Sequence, residues 1–237
     1  MDHLSLIRAA TRTLIDHVDE LTELDSAIGD GDHGLNMKRG ALAIEARLDD
    51  WRSSTLNETM KAAGTTCMAT IGGSSGPVFG TLLVTLAKEL PAEPKPADLG
   101  AALAAAIAAL TRLGKAEVGQ KTLLDVLDPV QHVLASDAGS DLVARVRQCA
   151  LDSAAATATM AASRGRASFL GERALGHVDP GAARSRAARP LRGARPAGDG
   201  QGGDRRHHGI ARWTRPRFPL PGMPKRRSAR TRPYCRR

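Results

Sequence analysis

Apolar residues recur along the first three-quarters of the chain at helical spacing. Leu4, Ile7, Leu14, Val18 and Leu21 keep that period through residues 3–23 and predict an amphipathic helix there. The polar, glycine-rich stretch 25–34 reads as a loop. Helical spacing returns over 35–50 with Leu42, Ile44 and Leu48. Thr55-Leu-Asn-Glu58 has the form of a capping box and starts a helix running to about Ile71. Gly72-Gly-Ser-Ser-Gly76 interrupts it, and Pro77 suits the first turn of a helix ending at Leu90. Residues 91–96, with three prolines, read as a surface linker. An Ala/Leu-rich helix over 98–113 stops at Gly114. Two more helices are predicted over 123–136 and 140–163, and a non-periodic Arg/Gly loop over 164–181. No alternating strand pattern and no repeat of fixed period occurs. Seven helices with short connections predict an all-α antiparallel bundle or barrel.

Composition agrees with that class. Aromatic residues make up only 3% of the 237 residues, too few for the strands of a β-sandwich or barrel. No uninterrupted apolar run of about 18 residues appears, so no membrane span is expected. The start, Met1-Asp2-His3-Leu4, lacks the layout of a signal peptide. Cys67, Cys149 and Cys235 are odd in number and far apart, which fits reduced thiols in a cytoplasmic protein.

The net charge of +9 is unevenly spread. Residues 184–237 carry 16 Arg and one Lys against Asp199 and Asp204, a local net of +15, leaving −6 on residues 1–183. The tail also holds seven Pro and seven Gly and almost no Val, Ile or Leu. Such a segment cannot bury enough apolar area to offset chain entropy. Residues 1–183 are therefore the expected folded domain, and 184–237 a disordered basic tail. A nucleic-acid-binding tail is the competing reading, but no recognisable reading element accompanies the charge.

The candidate chemistry sits in the interhelix loops. In Asp25-Ser-Ala-Ile-Gly29-Asp30-Gly31-Asp32-His33-Gly34-Leu35-Asn36, three carboxylates are interleaved with glycines. Converging aspartates suit a hard cation such as Mg²⁺ or Ca²⁺. A solvated turn with a helix-capping Asp fits the same residues. An EF-hand is excluded, because the bidentate Glu at its twelfth position is missing. Gly72-Gly73-Ser74-Ser75-Gly76-Pro77 opens a helix and fits either an anion site or a plain helix connection. It is not a P-loop, since no Gly-Lys-Ser/Thr follows. Lys121, Arg164 and Arg166 are phosphate-neutralising cations on one reading and solvated surface cations on the other. Asp179-Pro180-Gly181 reads as a turn or as an N-cap followed by Pro at the first helical position.

In conjunction these segments resemble a family. The loops within 24–37, 72–80, 114–125 and 164–181 match, in order, the ADP-binding L subunit of dihydroxyacetone kinase, which also occurs as the C-terminal domain of single-chain dihydroxyacetone kinases. The resemblance implies a barrel of eight antiparallel helices with ADP or ATP at one end. It implies two Mg²⁺ ions held by Asp25, Asp30 and Asp32, with His33, Gly34, Leu35 and Asn36 lining the nucleotide. Ser74 and Ser75 would bind phosphate, and Gly114 and Leu123 would flank the adenine. Arg166 would reach the nucleotide, and Asp179, Pro180 and Gly181 would close the site. No catalytic base is expected in this chain, because the family's substrate is held covalently on a histidine of a partner K subunit.

Two chemistries share such a domain. In the phosphotransferase-system type, bound ADP is rephosphorylated by a phosphohistidine on an M subunit. In single-chain kinases ATP is consumed. Met1 lies just ahead of the first predicted helix, which favours a free-standing subunit and the phosphoenolpyruvate-dependent type. Domains of this type also occur in proteins without kinase activity, an L-type subunit can act as a regulatory partner of a transcription factor, and the altered C-terminus fits an inactive Mg-nucleotide-binding remnant. The sequence departs from the family after Gly181, where an apolar eighth helix is expected. Ala182-Ala183 gives way at once to Arg184-Ser-Arg186, as a GC-rich gene read out of frame from about codon 183 would produce. The eighth helix is accordingly expected to be missing or replaced.

Overall fold

Among residues 2–136, 139 and 141–183, which a computed structural model of the chain describes, all regular structure is helical. The first predicted helix is two: α1, His3–Asp16, and α2, Val18–Ile28. α1 starts on Asp2, whose carboxylate accepts the Ser5 N–H at 2.7 Å. The chain leaves helical geometry at His17, where Nδ1 bonds the Thr13 carbonyl oxygen at 2.8 Å. α2 runs past its predicted end because Leu21 and Ile28, two turns apart, are both buried on one face. Asp25 therefore sits on the last turn of a helix and not in a loop. α3, His33–Glu45, starts two residues early, and turns lead from it to Trp51.

α4, Leu56–Thr70, carries the predicted capping box: the Thr55 N–H donates to Glu58 Oε2 at 2.8 Å, and the Glu58 N–H to Thr55 Oγ1 at 3.3 Å. α5 spans Ser75–Glu89 with Pro77 in its first turn, and α6 spans Pro96–Gly114. By length and composition α6 is apolar enough to cross a membrane, although Asp98 and Arg112 interrupt its apolar run. In this fold it packs against α5 and α7 and buries Ala102, Leu103, Ala106 and Leu110. α7, Leu124–Ala135, and α8, Leu142–Ala156, follow. The helix predicted to reach 163 ends at Ala156, where a 3₁₀ turn, Thr157–Thr159, buries Thr157. A second 3₁₀ segment, Arg166–Ala174, lies within the predicted loop, and α9, Pro180–Ala183, is a single turn.

Each helix from α2 to α8 packs against the next, and α9 touches α8, α7 and α2 and closes the ring. The four residues of α9 stand where the eighth barrel helix is expected to begin. α1 folds back beside α3. The main core joins Leu21, Met37, Ile44, Leu48, Trp51, Cys67 and Ile71, with Ala183 of α9 among them. Burying each of the larger side chains contributes about 1.5–3 kcal/mol. The basic tail over 184–237, with the expected replacement of the eighth helix, lies outside the described residues.

Candidate functional site

Antiparallel succession places the N-termini of α3, α5, α7 and α9 at one end of the ring. There a cavity of about 330 Å³ is lined by residues of all four predicted loop regions. His33 begins α3, Ser74 and Ser75 begin α5, Leu123 precedes α7, and Pro180 and Gly181 begin α9; all line the cavity. A helix N-terminus carries a partial positive charge, so the starts of α3, α5 and α7 together favour an anion.

The acidic part of the cavity is compact. One carboxylate oxygen each from Asp25, Asp30 and Asp32 lies within 4.8 Å of the other two. Asp25 is buried on α2, and its Oδ2 accepts the His33 N–H at 3.2 Å, which ties the end of α2 to the start of α3. Asp30 and Asp32 are exposed. Three convergent carboxylates form an all-oxygen donor set of the kind a hard divalent cation takes. Arg166 forms an ion pair with Asp30, bringing the 164–176 segment against the acidic loop.

The anion-binding part adjoins it. Gly73 has φ +63, the left-handed conformation that lets the chain turn into α5. Ser75 Oγ stands 3.4 Å from His33 Nδ1. Asn36 is buried beside Gly72, where a Cβ would come 2.6 Å from Asn36 Oδ1. Apolar Val78, Leu110, Leu123 and Leu124, with Gly114, line the remaining wall.

Most predicted site residues thus meet in one cavity, and two do not. Gly34 and Leu35 are not among its lining residues. Gly34 is buried against α2, where a Cβ would overlap Thr22 Oγ1 and the Val18 carbonyl. Its lack of a side chain serves helix packing. Leu35 is 57% exposed. Asp179 resolves as an N-cap: its Oδ2 accepts the Ala182 N–H at 2.9 Å, with Pro180 at the first helical position.

Lys121 departs from both sequence readings, surface cation and phosphate ligand. It is 1% exposed. Its Nζ donates to the carbonyls of Thr157 at 2.9 Å, Ala174 at 2.9 Å and His177 at 2.6 Å, with Met160 at 3.4 Å. Burial pushes its ammonium below the usual lysine range, and the nearby Asp179 carboxylate opposes that shift. Sequence reasoning gave no role to Asp125. It is buried, and accepts the Gly119 N–H at 2.5 Å and the Thr122 N–H at 2.6 Å. An acid closing the turn Gly119-Gln-Lys121-Thr122 was its only signal in the sequence.

Comparison with known proteins gives the family and the fold. The DAK2 domain matches residues 27–187. The chain is 39% identical over 163 residues to the ADP-binding subunit DhaL of a PEP-dependent dihydroxyacetone kinase from Listeria innocua, covering 68% of this chain and 79% of that one. It is 38% identical over 169 residues to the corresponding Escherichia coli subunit, covering 68% and 80%. The L-erythrulose 1-kinase of Mycolicibacterium smegmatis is 34% identical over 188 residues, of which this chain spans 33%. The crystal structure of the dihydroxyacetone kinase from C. freundii in complex with AMP-PNP and Mg²⁺ superposes with a TM-score of 0.58 at 26% identity. That match covers 78% of this chain and 32% of the solved one.

Proposed function

The chain belongs to the DAK2 domain family, and from that premise we propose that it is the nucleotide-carrying subunit of a dihydroxyacetone-type kinase. It binds ADP or ATP with two Mg²⁺ ions and passes the terminal phosphoryl group to a ketose held on a partner K subunit. The bound ADP is then rephosphorylated by a phosphohistidine-bearing M subunit. The observation that carries this reading is the convergence of Asp25, Asp30 and Asp32 within 4.8 Å in the cavity that also receives Ser74, Ser75 and Arg166.

Asp25, Asp30 and Asp32 would hold the metal, which when bound neutralises polyphosphate charge. The rest falls to the chain's own groups. The N–H groups at the start of α5 and the hydroxyls of Ser74 and Ser75 donate to phosphate oxygens. Arg166 exchanges Asp30 for phosphate as a charge partner. The apolar wall of Val78, Leu110, Leu123 and Leu124 excludes water from one face of the base. Phosphoryl transfer depends mainly on such positioning and charge neutralisation, so a site without a general base suffices here.

Two relatives at 38–39% identity are subunits of PEP-dependent enzymes, which supports the phosphohistidine-fed cycle. The match to L-erythrulose 1-kinase supports a second reading, an ATP-consuming kinase acting on a related ketose. Titration calorimetry with Mg-ADP tests the site, and transfer of labelled phosphate from a phosphohistidine protein to the bound nucleotide separates the two readings. No Mg-ADP binding by the full chain would overturn both.

A further inference from the structure

We infer that Lys121 is a positioning residue of this site. Its ammonium gathers main-chain carbonyls 36 to 56 residues further along the chain and so fixes the segment that presents Arg164, Arg166 and Asp179 to the cavity. The inference rests on the nucleotide-site reading above.

An ammonium has three protons. The three short bonds, to Thr157, Ala174 and His177, use them, and the Met160 carbonyl shares at longer range. Nζ is thereby committed to the backbone, so Lys121 acts on a nucleotide through the segment and not by touching phosphate. The segment's other anchors are small. Its buried apolar side chains are Ala167 and Ala174, which form a small cluster with Ile28 against which Ala162 and Leu170 pack; Val178 packs on the main core, and Arg166 pairs with Asp30 at the exposed edge. Phe169 is 87% exposed, and Gly165, Gly171 and Gly176 all have positive φ. Beyond the lysine, main-chain anchors are the Gly176 N–H on the Ala158 carbonyl at 2.8 Å and the Asp179 N–H on Thr157 Oγ1 at 3.0 Å. A chain with so few apolar contacts opens readily unless its polar groups are gathered.

The backbone at Lys121 is shaped for this reach. Lys121 has φ +61, a left-handed conformation unusual for a residue with a side chain. Asp125 imposes it by accepting N–H groups from both sides of the turn, Gly119 and Thr122. Unfavourable backbone geometry held by a buried carboxylate marks a position where the direction of the side chain matters. Lys121 and Asp125 therefore work as a pair: the acid bends the turn, and the turn aims the lysine.

The test uses the full chain with Lys121→Met and Asp125→Asn. Mg-ADP affinity is measured by calorimetry, Mn²⁺ affinity without nucleotide by electron paramagnetic resonance, and backbone opening by hydrogen exchange. Lys121→Met is expected to weaken Mg-ADP binding roughly 10- to 100-fold. It should also speed exchange across residues 160–179, leave α3 to α5 protected, and not weaken Mn²⁺ binding at the aspartates. Asp125→Asn should show the same pattern to a smaller degree. Wild-type Mg-ADP affinity in Lys121→Met, or exchange raised equally over the whole bundle, overturns the inference. If Lys121→Met does not fold, Asp125→Asn decides on the same criteria. Unfolding of both overturns it too, because the pair would then hold the bundle and not the segment. If the wild type binds no Mg-ADP, the nucleotide reading fails, and exchange over 160–179 still decides whether the lysine fixes the segment.

Discussion

A Cβ on Gly29 would overlap Oδ1 of Asp25 and come 2.9 Å from its carboxyl carbon. The missing side chain of Gly29 is what lets the Asp25 carboxylate face Asp30 and Asp32 from the last turn of α2. Gly29→Ala should therefore turn that carboxylate away from the cluster. Mg-ADP binding is expected to weaken roughly 10- to 100-fold, as when a group that orients metal ligands is lost. The helical circular dichroism should be unchanged, because the strain is confined to one rotamer. Calorimetry on the two proteins measures the loss.

The order of the helices and the loops that hold the chemistry were legible in the sequence, because helical spacing and Gly/Ser/Asp breaks are local signals. The break at His17 was not, since Leu14, Val18 and Leu21 keep the helical period across it. The extension of α2 through Asp25 was hidden by its polarity; the burial of Ile28 against Ala167 and Ala174, Leu24 on the main core and the bond from the His33 N–H to Asp25 hold those last turns. Lys121 could not be placed because its partners are far away in sequence and are backbone carbonyls, which leave no side-chain signature. Gly34 was read as a ligand-facing residue when its constraint comes from Thr22 and Val18 on the neighbouring helix.

Removing an acid from the cluster should separate stability from binding. Without a cation the three carboxylates repel, so Asp32→Asn should raise the melting temperature in EDTA while abolishing the stabilisation by Mg-ADP. For the wild type that stabilisation is about 2.7 kcal/mol at ligand one hundred times its dissociation constant. Asp30→Asn should show the same loss of ligand response with a smaller gain in EDTA, because it also breaks the pair with Arg166. That pair is solvent-exposed and contributes only about 0–1 kcal/mol. Thermal melts of the three proteins with and without Mg-ADP give the comparison.

Acid should weaken the carboxylate half of the α4 capping box and leave the Glu58 N–H on Thr55 Oγ1 in place. The Thr55 N–H, and then its hydroxyl, hold the Glu58 carboxyl below its ordinary value of 4.5. A depressed folded value means that the cap's contribution is fully present above the unfolded value and is lost as pH falls through the folded one. Thr55→Ala should accordingly lower the melting temperature at pH 7 and make a smaller difference near pH 3. Melts of both proteins across that range measure the difference; an unchanged gap at acid pH would show that the carboxylate is not the partner that matters.

The single turn of α9 closes the ring, and Ala183 carries that closure into the core beside Leu21 and Met37. Its methyl is 3% exposed, leaving no room for a solvated charge. Ala183→Asp places an unpaired carboxylate in that core and should cost about 3–5 kcal/mol of stability. Leu113→Asp, at a site 48% exposed on α6, provides the control and should be close to neutral. The closure also sets the site, since Pro180 and Gly181 at the start of α9 line the cavity. A milder change, Ala183→Ser, should therefore lower Mg-ADP affinity along with stability. Denaturant unfolding and calorimetry on the same samples check both effects. Nucleotide affinity that stays at the wild-type level while stability falls would show that the cavity does not depend on the ring being closed by α9.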